Sequence, residues 1–117
     1  MSEPNDISGG KLFYVDNEKC FAIGSKTITQ SDLEKISTYN DLKKVLFYFV
    51  KFNNVDFSIF EKTGVNQFTF LHGNFSEKEL RQACKLKTLK TVQLLDTQVS
   101  ENELASAKEA FSGIIFK

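Results

Sequence analysis

The chain has 117 residues, of which 41% are hydrophobic, enough for one domain with a packed core, and no apolar run is long enough to span a bilayer. The 15 basic and 15 acidic residues cancel, so net charge offers no footprint for non-specific nucleic-acid binding. Cys20 and Cys84 are too few for a disulfide scaffold and lack metal-ligand spacing; a cytoplasmic protein with reduced thiols, no metal and no cofactor is expected.

Residues 1–10, MSEPNDISGG, have neither a basic start nor an apolar stretch and read as a disordered tail rather than a secretory signal. LFYV-DNEK-CFAI then reads as two short strands around a polar turn. Further strands are predicted at 44–48, 67–71 and 91–95, after one at 20–23. Helices are predicted at 31–37, 55–62, 77–85 and 101–111. The last residues, GIIFK, read as a short closing strand.

The alternation has a period. Leu89, Val92, Leu94, Val99, Leu104 and Ala107 follow Val65, Phe68, Phe70, Phe75, Leu80 and Ala83 in turn, all at one constant spacing. An earlier copy supplies Leu42, Val45, Phe47, Phe52, Phe57 and Phe60, and its step from Leu42 to Val65 is a single position shorter. The first copy gives Phe21, Ile23, Ile28, Leu33 and Ile36, and the step from Phe21 to Val45 returns to the longer spacing. A second column runs in phase. Thr29, Asn53, Ser76 and Ser100 are good helix N-caps, and Asp32, Asp56, Glu79 and Glu103 each follow at the third place; Ser76/Glu79 and Ser100/Glu103 fit a capping box, and Thr29/Asp32 and Asn53/Asp56 are weaker relatives of it. A single repeat domain over 11–117 is expected, divided into 11–41, 42–64, 65–88 and 89–112, with a terminal strand at 113–117.

Leu89, Val92, Leu94, Thr97 and Val99 fit L-x-x-L-x-L-x-x-N-x-L, with Thr97 in the Asn place, and the TQVSENEL phrasing is typical of the same class. Over about residues 18–117 the chain resembles a short leucine-rich-repeat protein of the ribonuclease-inhibitor-like kind. That resemblance implies an α/β solenoid of about four strand–helix repeats, with an N-terminal hairpin cap and a C-terminal strand. It also implies a concave face of parallel strands, convex helices, and a protein-binding role. The chain departs from the family at two places. Phe47, Phe52, Phe57, Phe60, Phe68, Phe70 and Phe75 stand where Leu is usual. Lys26, Val50, Gly73 and Thr97 stand in the Asn place, so no buried amide ladder is expected and other groups must satisfy the turns. A compact α/β domain without solenoid geometry is the alternative.

In such a sheet, residues between core positions form outward columns. One runs Cys20, Lys44, Gln67, Thr91; the next Ala22, Leu46, Thr69, Gln93; a third Gly24, Tyr48, Leu71, Leu95. At the strand ends come Ser25, Phe49, His72 and Asp96. Leu46, Tyr48, Phe49, Leu71 and Leu95 would make an apolar patch, rimmed by Lys44, Gln67, His72, Gln93 and Asp96, and these ten are the candidate partner-binding residues. Coverage of the patch by the N-terminal segment or by a second subunit, as in a homodimer, is the competing reading. Ser25, His72 and Asp96 do not make a catalytic set, because Phe49 sets Ser25 two strand spacings, about 9–10 Å, from His72. Cys84 reads as helix packing rather than a reactive thiol. Asp32, Asp56, Glu77, Glu79, Glu101 and Glu103 mark an edge of helix starts, serving the helix dipoles or forming an acidic rim for a basic partner.

The expected function is non-enzymatic protein binding. A small cytosolic immunity or inhibitor protein is its sharpest form, neutralising a cognate bacterial toxin such as a nuclease. A homo-oligomerising structural or adaptor subunit is the alternative. Neither nucleic acid nor membrane is an expected partner.

Overall fold

A computed structural model describes residues 11–15, 19–25, 27–39 and 41–117, with side chains from residue 19 onward. The tail at 1–10 and Lys26 lie outside the described residues.

Strands β1 (Lys11–Val15), β2 (Cys20–Gly24), β4 (Lys44–Tyr48), β6 (Gln67–Leu71), β7 (Thr91–Leu95) and β8 (Ile115–Phe116) form one six-stranded sheet in that order. The hairpin pair β1–β2 is antiparallel, and every later pair is parallel. Cys20, Lys44, Gln67, Thr91 and Ile115 stand side by side in one register. Residues related by the sequence period are therefore neighbours across the sheet. Two more strands, β3 (Thr27–Ile28) and β5 (Lys51–Phe52), pair in parallel as a separate ribbon that the periodicity did not predict. They extend the turns after β2 and β4. The whole is a mixed α/β domain with a mainly parallel sheet.

Helices α1 (Gln30–Ile36), α2 (Glu77–Cys84) and α3 (Glu101–Ala110) start where the caps predict. The Asp32 amide donates to the Thr29 hydroxyl at 3.3 Å, and the Thr29 amide donates to the Asp32 carboxylate at 3.0 Å. Ser100 and Glu103 repeat the exchange at 3.1 and 2.9 Å. At Ser76 the Glu79 carboxylate accepts both the Ser76 amide (2.8 Å) and its hydroxyl (2.7 Å).

The second copy departs from this scheme. Its helix is 3₁₀, spanning Phe57–Lys62, and its N-cap is Asp56 rather than Asn53. Asp56 accepts from the Ser58 amide at 2.9 Å, while the Asn53 amide donates to the Ile28 carbonyl. The sequence FSIFEK explains the change. Aromatic, β-branched and hydroxyl residues weaken an α-helix, and a three-fold turn aligns Phe57 over Phe60, both fully buried.

The core lies between sheet and helices and is aromatic at its centre. Phe47, Phe57, Phe60, Phe68, Phe70 and Phe75 are all essentially inaccessible. Phe70 stacks on Phe47 with centroids 5.2 Å apart and on Phe75 at 3.6 Å. Phe57 meets Phe47 edge-on at 6.4 Å. Flat rings stacked along the sheet fill the register rows that branched aliphatic residues would otherwise occupy.

Among the described residues, scattered side-chain bonds join one turn of the chain to the next. The Asn74 side chain accepts from the Phe52 amide at 2.8 Å, one place beyond the expected Asn column. Gln30 both donates to and accepts from the Asp56 backbone, at 3.1 and 2.7 Å. Thr88 donates to the Val65 carbonyl at 2.6 Å, and Arg81 to Ser106 at 2.8 Å. Among the described residues no helix is long and apolar enough to cross a membrane.

Candidate functional site

The outward columns lie where the register places them. Leu46, Tyr48 and Leu71 are half-buried, Phe49 is 62% exposed and Leu95 is 56% exposed. Lys44, Gln93 and Asp96 are exposed, while Gln67 and His72 are half-buried. Lys44 and Gln67 open their strands, Leu46, Tyr48, Leu71, Gln93 and Leu95 lie further along them, and Phe49, His72 and Asp96 come just past the strand ends. A weak polar track crosses the patch, with Gln67 reaching Thr69 at 3.4 Å and Thr69 reaching Gln93 at 3.5 Å.

Coverage is uneven, and the β2 end of the face is closed. Ala22 is 1% exposed and Gly24 is buried. A Cβ at Gly24 would run into the Tyr48 ring, so Tyr48 lies flat over Gly24 rather than projecting outward. The open part of the face begins at Phe49 and runs toward β7. Part of the apolar patch is thus covered from within the chain.

The strand-end column is a structural feature in its own right. Ser25, Phe49, His72 and Asp96 all have positive φ, between 52° and 57°. Each is the first residue after its strand. Their amides continue the ladder: Ser25 donates to the Tyr48 carbonyl, Phe49 to Leu71 and His72 to Leu95, at 3.1, 2.9 and 2.9 Å. The left-handed residue turns the chain off the sheet toward the helix layer, and its side chain is held at the rim. Asp and His tolerate this conformation; for a bulky Phe it is unusual.

At that rim three side chains meet in sequence across the strands. The Phe49 ring stacks on the His72 imidazole, with centroids 4.8 Å apart and planes 17° apart. His72 Nδ1 lies 3.0 Å from Asp96 Oδ2. The imidazole is thereby fixed on one face and on one nitrogen, leaving Nε2 for a partner. Beside this row lies an open cleft of about 320 Å³, walled by Phe49, Lys51, His72 and Asn74, with Gly73, Val50 and Gln98 completing it. Gly73 is required there, because a Cβ would sit 2.5 Å from the Val50 carbonyl oxygen.

The sequence columns contained Phe49, His72 and Asp96 but not Lys51, Asn74 or Gln98. Asn74 and Gln98 lie past the strand ends and Lys51 lies in the short β5 of the separate ribbon, beyond the reach of the alternation read for the main strands. Ser25 is in the same column as His72, but the Phe49 strand stands between them. Among the described residues no group of three His, Cys, Asp or Glu side chains is placed to hold a metal. Cys84 is buried on α2, and its desolvation pushes the thiol up to about 12, against a smaller opposing pull from Arg81.

The helix-start acids are mostly engaged within the chain. Asp32 is 6% exposed and locked to Thr29; Glu79 and Glu103 bind back to their caps; Asp56 binds the Ser58 amide; Glu77 pairs with Arg81 at 3.3 Å. Of the two readings of these acids, the contacts are those of helix capping and helix-dipole complementation. Asp96 and Glu101 remain exposed.

No family model, curated protein or solved structure matches the chain.

Proposed function

We propose that this chain is a non-enzymatic protein-binding module of leucine-rich-repeat-like, solenoid architecture, working in the cytosol as a small immunity or inhibitor protein that occludes a cognate protein toxin such as a nuclease. The observation that carries the binding reading is the exposed rim of the sheet. Phe49 and Leu95 present apolar surface on either side of the pre-ordered His72–Asp96 pair. Aromatic anchors surrounded by oriented polar groups are the usual centre of a protein interface. The solenoid reading is supported by the in-register parallel pairing of strands one sequence period apart, Cys20 beside Lys44 and Lys44 beside Gln67. The inhibitor reading is an analogy with repeat proteins that occlude their targets.

The test pairs wild type with the double variant Phe49→Asn, Leu95→Asp. Asn accepts the positive φ of Phe49, so the fold should stand. Under this reading, tagged wild type recovers one stoichiometric protein whose toxic activity it suppresses in a purified assay, and the variant does neither. Recovery of this chain alone would favour the structural or adaptor subunit. A partner held equally by both proteins would remove this rim from the interface.

A further inference from the structure

We propose that the cleft at the strand-end rim is a binding site for a carboxylate group, held by Lys51, Gly73, Asn74 and Gln98. This stands whether or not a protein partner occupies the rim.

The first observation is the character of the lining. The cleft measures about 320 Å³, at the small end of ligand-sized pockets, so it suits a group of few heavy atoms. Phe49 and Val50 give it apolar wall, and its polar side chains are those of Lys51, His72, Asn74 and Gln98. Among the described residues, no Asp or Glu lines it.

The second is an inventory of donors. The Asn74 carboxamide is oriented by the Phe52 amide, which donates to its Oδ1 at 2.8 Å. That bond assigns Nδ2 as the other end of the group, with hydrogens to give. Among the described residues neither Asn74 Nδ2 nor the Gly73 amide has an acceptor. Lys51 is exposed and forms no ion pair among the described residues. Gln98 is exposed as well, tied down by its backbone amide, which donates to the Phe75 carbonyl at 3.0 Å, rather than by its side chain. An ammonium, a carboxamide and a backbone amide are thus donors in want of an acceptor. An oxyanion supplies one through charge-assisted hydrogen bonds.

The third is the charge around the cleft, which selects the kind of anion. The strand-end edge is not basic. Lys51 and Lys78 stand there, and Lys78 donates to Asn54 Oδ1 at 3.0 Å. Against them are Asp96, Glu101 and the carboxylates that cap the helices. Asp96 lies next to the cleft through its contact with His72. A dianion such as phosphate would meet this field with twice the charge. It would also lack an arginine fork, since Arg81 is engaged with Glu77 at 3.3 Å. A carboxylate carries a single charge, its oxygens suffice for the Lys51, Gly73 and Asn74 donors, and its apolar stem has Phe49 and Val50 to rest on.

The experiment is an amide NMR titration of the isotope-labelled full chain. The probes are sodium propionate, N-acetyl-glutamate amide, inorganic phosphate and sodium chloride at matched ionic strength. The two carboxylates should shift the Gly73 amide and the Asn74 side-chain amide saturably. Phosphate should bind at least about 10-fold more weakly, and chloride should give only a linear drift. Lys51→Gln should weaken carboxylate binding about 10-fold, and Gln98→Glu should weaken it by at least as much. Both residues are exposed, so the other amide resonances should keep their places and report an intact fold. Tighter binding of N-acetyl-glutamate amide than of propionate would trace the carboxylate to an acidic side chain of a protein; otherwise it belongs to a free small acid. Shifts that do not saturate overturn the proposal. So does carboxylate binding indifferent to both substitutions, and so does phosphate binding as tight as that of the carboxylates.

Discussion

His72 Nδ1 lies 3.0 Å from Asp96 Oδ2, and both residues stand at the ends of adjacent strands with the backbone in the left-handed region. The pair is set by the turn geometry of two neighbouring copies rather than by local sequence. Its side chains are 39% and 74% exposed, so solvent and salt screen it. Asp96→Asn should therefore change stability by less than about 1 kcal/mol in urea unfolding. If the rim binds a protein, the same substitution should weaken that complex more than it weakens the fold, as titration calorimetry would show.

The left-handed column makes a residue-type prediction. Phe49→Asn or Phe49→Gly should leave stability unchanged or raise it, whereas Phe49→Ile should cost about 1–2 kcal/mol, because a β-branched residue is poorly accommodated at φ 52°. Thermal melts of the three variants test this. A tolerated Ile would show that the turn is not held in that conformation.

Phe70 sits at the centre of the aromatic stack, against Phe47 and Phe75. Phe70→Ala should cost about 3–5 kcal/mol through the cavity it opens. Chemical denaturation gives the value directly, and a loss below about 1 kcal/mol would contradict the buried position.

Two glycines should respond differently to the same change. Gly73→Ala forces a Cβ to 2.5 Å from the Val50 carbonyl oxygen, which belongs to the backbone, and should destabilise by about 1–3 kcal/mol. Gly24→Ala instead meets the Tyr48 ring, a side chain that can swing away. Its signature should be a displaced Tyr48 resonance in NMR spectra with a smaller loss of stability.

Cys84 should resist alkylation in the folded chain, while half-exposed Cys20 reacts; unfolding should release the second thiol. The pH dependence has a definite sign. Burial raises the Cys84 thiol from 9.0 to about 12, so its stabilising contribution is complete below pH 9 and is lost as pH rises toward 12. Cys84→Ala should flatten that alkaline limb of the stability curve.

Much of this architecture was legible in the sequence because its signals were periodic and local. Val45, Phe68 and Val92 occupy one core row because each recurs at a regular spacing, and Thr29, Ser76 and Ser100 start helices because cap chemistry acts within a single turn. The columns through Tyr48, Leu71 and Leu95 followed from strand alternation alone. Tertiary structure decided which members of those columns are open. Tyr48 folds over Gly24 and Ala22 is sealed, while Phe49 and Leu95 stay exposed, and no local rule distinguishes them. It also converted the second helix to 3₁₀, moved its cap to Asp56, and placed Asn74 where a ladder amide was needed. The physical reason is range. Capping and alternation are settled by neighbours in the chain, whereas exposure and cleft shape depend on what packs from distant parts of it, where spacing gives adjacency but not fit.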